Sequence, residues 1–305
     1  MGRFGTVITA MVTPFDDGGG LDLDGAVALA RHLVDNGSDG LVVAGTTGEG
    51  PVLSDQEKID LWRAVAGAVS VPVVAGTGSN DTAHSIALTQ EARGTGVQGV
   101  LLVTPYYSRP SQAGLAAHFR AVAGATDLPV LLYDIPARTG RRIATDLLIE
   151  LANTVGNIVG VKDSTADPAS AARVVAETPD RFELYSGDDP LTLPLMAVGG
   201  VGIVSVAAHW AGPLMVEMVS AFGSGDLAGA RKANARLYES YRFESSEAFP
   251  NPMPAKAACR VLGLPAGQCR LPNEVAPSSL DDQARGVVER VGHATSGASV
   301  RESIG

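Results

Sequence analysis

The chain has 305 residues, enough for one large α/β domain with an appendage or for two smaller domains. A formal charge of -10 and a pI near 4.9 argue against nucleic acid or an anionic membrane surface as the main partner. There is no apolar run of roughly eighteen residues and no signal-like h-region after Met1, and the two cysteines, Cys259 and Cys269, are too few for a disulfide framework or a zinc site. The chain therefore reads as a cytoplasmic protein with no membrane span.

From the N-terminus, short β-rich runs alternate with amphipathic helical patterns. Strands are predicted at 6–11, 40–44, 71–75, 99–103, 129–133, 158–161, 182–186 and 202–206. Between them the apolar spacing predicts helices at 24–36, 54–69, 81–93, 111–125, 145–153, 168–177 and 190–198. Ser54, with Glu57 three positions on, has the form of a capping box. Eight β-α units in series predict a (β/α)8 TIM barrel. An open doubly wound sheet is the alternative, and the lack of G-x-G-x-x-G after the first strand counts against it.

After the eighth strand the rhythm changes. Helices are predicted at 209–222, 226–240, 254–262 and 280–291 with no strands between them. This divides the chain into a catalytic barrel over 1–224, a C-terminal helical domain over 225–292 and a disordered tail over 293–305, rich in small and polar residues.

Only four lysines stand against nineteen arginines, and Lys162, at the C-terminal end of a predicted strand, is the one that does not fall on a predicted helix. It follows the apolar run Ile158-Val159-Gly160-Val161. A barrel of this kind carries its site at the C-terminal strand ends. Burial there favours a free amine over an ammonium, which suits a Schiff-base lysine. The bland alternative is a lysine that snorkels to solvent. The other strand ends carry Gly45-Thr46-Thr47-Gly48-Glu49, Thr104-Pro105-Tyr106-Tyr107, Tyr133-Asp134-Ile135-Pro136 with Arg138 beyond, Ser186-Gly187-Asp188-Asp189, and Ser205-Val206. Singly, each also reads as an ordinary turn, packing or a solvated charge. The five histidines show no metal-ligand spacing, so no metal is expected, and Trp62 reads as core.

These motifs, with Val159-Gly160-Val161-Lys162-Asp163, resemble the pyruvate-dependent class I aldolases, the family that holds dihydrodipicolinate synthase and N-acetylneuraminate lyase. They follow the family's order from residue 6 to about residue 265. The resemblance implies a lyase without cofactor, in which Lys162 forms a covalent imine with pyruvate. It implies Tyr133 as general acid/base, with Thr46 linking it to Tyr107 of a neighbouring subunit. Thr47, Gly187 and Val204 would contact substrate, and Arg138 would grip the carboxylate of L-aspartate 4-semialdehyde. A homotetramer built as a dimer of dimers and a place in lysine and diaminopimelate biosynthesis are implied as well.

Arg138 and the Thr46-Thr47 pair resemble the synthases rather than the sugar-acid lyases. An aldolase or lyase for another aldehyde and a non-catalytic oxo-acid-binding regulator are the rival readings. Asp134 and His209 depart from asparagines common in the family. Where lysine-sensitive relatives carry serine, histidines and a glutamate, this chain has Gly50, Asp55, Lys58 and His84, so weak or absent feedback by L-lysine is expected.

Overall fold

Parallel strands covered on both faces need apolar residues at nearly every position, and the predicted runs supply them. The structure, a computed structural model, describes residues 2–296. Its strands are β1 (Val7–Ala10), β2 (Gly40–Val43), β3 (Val73–Gly76), β4 (Gly99–Val103), β5 (Val130–Asp134), β6 (Ile158–Asp163), β7 (Glu183–Ser186) and β8 (Gly202–Ser205). Each pairs in parallel with its sequence neighbours, and β8 closes on β1. That pairing makes the TIM barrel and excludes the open sheet.

The helices are α1 (Leu23–Asp35), α2 (Asp55–Ala68), α3 (Thr82–Ala92), α4 (Gln112–Ala123), α5 (Pro136–Thr139), α6 (Thr145–Thr154), α7 (Pro168–Glu177), α8 (Thr192–Ala197), α9 (Ala208–Gly223), α10 (Leu227–Phe243), α11 (Met253–Val261) and α12 (Ser278–Ser296). Several start on a side-chain cap worth about 1 kcal/mol. Asp22, Asp81, Ser111 and Asp167 each accept a first-turn amide, and Ser54 with Glu57 completes the capping box.

Two apolar layers result. Inside the barrel, Ile8, Val42, Val74, Leu101, Leu131 and Val204 pack with Phe4, Tyr133 and Tyr185. Outside, the alternate strand residues meet the helices; Trp62 on α2 is fully buried there and donates its indole N–H to the Val43 carbonyl at 3.3 Å. This outer layer runs on without a break into the C-terminal helices through Leu237, Met253, Cys259 and Leu280. α9 and α10 are joined by a turn at Ser224 to Asp226, where Gly225 has φ +84° and Asp226 caps α10.

The sequence pattern misplaces some boundaries. β3 begins at Val73 because Pro72 before it has no N–H to give. β6 continues to Asp163, so Lys162 lies within a strand. Between β5 and α6, where no helix is predicted, the chain forms the short α5, started by Pro136 and stopped by Gly140 at φ +70°. α12 reaches Ser296, beyond the start of the tail expected to be disordered; the rest of that tail lies outside the described residues. Among the described residues, no helix is long and apolar enough to cross a membrane.

Candidate active site

β6 aims Lys162 by means of an irregularity. Ile158 faces the outer layer and Val159 the inner one, and simple alternation would then turn Lys162 outward. Instead the pairing slips from Val130–Ile158 to Leu131–Gly160. The extra residue restores Val161 to the outer layer and sets Lys162 opposite the inward-facing Tyr133. Gly160 permits the slip, since a Cβ there would lie 2.4 Å from the Glu183 carbonyl oxygen. Lys162 is 4% exposed, and its Nζ stands 4.2 Å from the Tyr133 ring centroid. Among the described residues it forms no ion pair, and its Nζ makes no hydrogen bond.

Gly187 lies against the same side chain. A Cβ at that position would meet Lys162 Cγ at 3.0 Å and Ser164 Oγ at 2.1 Å. One acidic group, Asp188, lies near the lysine without pairing to it. Burial raises Asp188, and the Lys162 charge opposes that rise. Asp134 and Asp163 face each other across β5 and β6. Burial pushes the Asp134 carboxyl up to about 7 and also raises Asp163. Asp134 accepts the Ile143 amide at 3.1 Å on one oxygen, while the other is buried without a partner. It thereby ties the segment that follows α5 back to the end of β5.

The turn after β2 is tightly bound to itself. Glu49 donates its amide to Thr46 O at 3.0 Å, Gly50 donates to Gly45 O at 3.0 Å, and Thr13 Oγ1 donates to Gly48 O at 2.6 Å. Thr46 lines a cleft of about 380 Å³ together with Tyr133 and Arg138. Its hydroxyl makes no hydrogen bond to Tyr133, so the expected link is not closed in this structure; catalytic contacts often tighten only with substrate bound. Thr47 is buried and accepts from Asn251 Nδ2 at 3.0 Å.

Arg138 sits exposed on α5 at the cleft rim, with Nη2 3.5 Å from the Asn251 carbonyl oxygen. Val204 is fully buried in the barrel interior with Tyr133. Tyr107 is the residue the fold does not bring in: it is 88% exposed, has φ +72°, and does not line its own chain's cleft, although Tyr106 does.

Asn251 is the residue that the sequence pattern did not single out. It comes from the appendage yet touches both Thr47 and Arg138, and its only local signal is an Asn-Pro turn. His209 is fully buried and joins β1 to β8: Nε2 accepts the Val12 amide at 3.1 Å and Nδ1 donates to Val206 O at 2.8 Å. Burial pulls it down to about 4, so it is a neutral strut. Among the described residues no cluster of His, Cys, Asp or Glu is arranged to hold a metal ion.

Comparison with known proteins extends this geometry to nearly the whole chain. A protein of Moorella thermoacetica named 4-hydroxy-tetrahydrodipicolinate synthase is 53% identical over 272 residues, covering 88% of this chain and 92% of the relative. A crystal structure of dihydrodipicolinate synthase DapA-2 from Bacillus anthracis superposes with a TM-score of 0.91 at 44% identity, covering 95% of this chain and 99% of that one. The enzyme of Cyanidioschyzon merolae, solved with lysine bound, gives 0.92 at 43% identity over 96% and 99%. The profile of the dihydrodipicolinate synthetase family matches residues 3–290, and the chain belongs to that family.

Proposed function

We propose that the protein is a 4-hydroxy-tetrahydrodipicolinate synthase, condensing pyruvate with L-aspartate 4-semialdehyde in the cytoplasm through an imine on Lys162, with no organic cofactor or metal. The observation that carries the reading is a buried lysine with no carboxylate partner, held 4.2 Å from a tyrosine ring at the C-terminal end of a barrel strand. The amine of Lys162 adds to the ketone carbon of pyruvate, and loss of water leaves the imine. Its cationic nitrogen draws electrons from the methyl group, which loses a proton to give the enamine.

Tyr133 shuttles these protons, relayed through Thr46 to Tyr107 of the partner subunit. The exposure of Tyr107 fits that role, which needs a tight dimer; a homotetramer of two such dimers is the assembly the family resemblance implies. Thr47 and the turn around it hold the pyruvate carboxylate, with Gly187 and Val204 shaping the wall beside Lys162. Arg138 grips the carboxylate of the semialdehyde with a guanidinium fork. The enamine carbon attacks the aldehyde; the substrate's own amine then displaces Lys162 and closes the ring.

A coupled assay with pyruvate and L-aspartate 4-semialdehyde, read by an added dihydrodipicolinate reductase, tests the reading. Turnover supports both substrate and reaction. Pyruvate trapped on Lys162 by borohydride without turnover would move the assignment to another aldehyde.

A further inference from the structure

The appendage grips the barrel at one buried charge pair. Lys256 on α11 is 0% exposed, and its Nζ lies 2.7 Å from Glu49 Oε1, a charge contact whose angle falls outside hydrogen-bond geometry. The ammonium also donates to Gln268 O at 2.9 Å and stands 4.1 Å from the centroid of the Phe15 ring. The second oxygen of Glu49 accepts the Arg270 amide at 2.9 Å. Arg270 in turn grips Glu57 on α2 and the carbonyls of Val52 and Gly19. Glu49 therefore stands at the junction of three elements.

Its place in the chain gives the junction a consequence. Glu49 belongs to the turn that carries Thr46 and Thr47, and it holds φ +55°, a left-handed conformation that a residue with a Cβ adopts only when its surroundings enforce it. Through its amide it is tied to the Thr46 carbonyl. The same stretch of appendage meets this turn twice: Asn251 donates to Thr47, and Lys256, just beyond it on α11, holds Glu49. We propose that the Glu49–Lys256 pair is a positioning device, fixing the Thr46–Thr47 turn relative to Lys162 and Tyr133 from across the seam between barrel and appendage. Both are positioning residues, since neither reaches the reacting atoms. The inference rests on the roles given above to Thr46 and Thr47.

The test separates positioning from stability. Lys256→Met and Glu49→Gln should each lower Tm, raise the KM for pyruvate by about tenfold or more and slow borohydride trapping, because small misplacements of binding groups carry large kinetic effects. The double variant Glu49→Gln/Lys256→Met removes both charges and should recover Tm, since an unpaired buried charge is what destabilises the single variants. Its KM should stay raised. Leu237→Ala, which opens a cavity in the apolar core under α10, should lower Tm and leave the KM unchanged.

Recovery of KM in step with Tm would overturn the proposal, as would an unchanged KM in the single variants. Where the double variant stays destabilised or Lys256→Met fails to fold, Glu49→Gln is compared with Leu237→Ala at matched loss of Tm; equal shifts in KM would then overturn it. The parent chain is the control for the underlying reading: if it traps no pyruvate, that reading fails whatever the variants do.

Discussion

Lys162 and Lys256 are both buried, and both stand about 4 Å from an aromatic ring, Tyr133 in one case and Phe15 in the other. Their partners differ. Lys256 has the Glu49 carboxylate and the Gln268 carbonyl, so its charge is committed to holding two parts of the fold together. Burial pulls its ammonium down and Glu49 opposes that pull. Lys162 has a ring, a glycine and the aliphatic wall of the barrel, with Asp188 near but beyond ion-pair contact. A buried amine with no committed partner is available as a nucleophile, whereas a paired one is structural. Burial alone does not separate the two lysines; the lack of a partner does.

The largest expected effect breaks the comparison at its functional end. Lys162→Ala should abolish borohydride trapping of pyruvate, with Lys58, Lys232 and Lys256 all intact; an adduct surviving on any of them would show that the pairing argument has chosen the wrong lysine. Tyr133→Phe keeps the ring over the amine and removes only the phenol. Turnover should fall by roughly 10²–10⁴-fold, the scale of acid–base catalysis, while pyruvate is still trapped. A near-normal rate would leave the ring as packing, like Phe15 beside Lys256. At the structural end, losing Lys256 alone should cost about 3–5 kcal/mol of stability, the usual penalty for stranding one member of a buried pair.

The two lysines were unequally legible in the sequence. Lys162 stands out because a charged residue ends a continuous apolar run, a local signal. Its orientation was only partly legible: Gly160 is a bulge signal within the strand, but where the register slips is decided by pairing with β5. Lys256 reads only as one charge on a helix. Its partner Glu49 lies at the other end of the barrel's sequence, and nothing local connects them. Asn251 was missed for the same reason. Asp134 and His209 were visible as departures from the family pattern, but their burial depends on neighbours brought in by α5, α9 and the strand ends.

A smaller effect lies just outside the Lys162–Tyr133 pair, on the opposite face of the same two strands. Asp134 is raised to about 7 chiefly by burial, with the Asp163 charge adding to the rise and the Ile143 amide and Arg142 opposing it. The folded state thus holds a proton that the unfolded chain releases near pH 4. Between about 4 and 7 the folded state binds more protons, so stability falls as pH rises through that window and is level above it. Asp134→Asn keeps an acceptor for the Ile143 amide and should remove this share of the slope, a few kcal/mol at most. Urea melts across the window check it; an unchanged slope would assign the proton to another group.

The smallest expected effect concerns a third buried lysine. Lys58 on α2 lies 3.7 Å from Asp55, which also takes the His84 Nε2 at 2.9 Å. These residues line the far end of the cleft that reaches Thr46 and Tyr133, together with Asn80 and Tyr106. These are the positions at which, by the resemblance, lysine-sensitive relatives carry their feedback ligands. In this chain the one carboxylate at that end is already engaged by two of its own basic side chains, and a free L-lysine would bring its ammonium toward Lys58 with no unpaired acid to receive it. L-Lysine at millimolar concentration should therefore inhibit turnover weakly or not at all. Half-inhibition below a millimolar would mean that the Asp55 contacts open for a ligand. Lys58 would then belong with Lys162, as a lysine whose partner is not fixed, and not with Lys256.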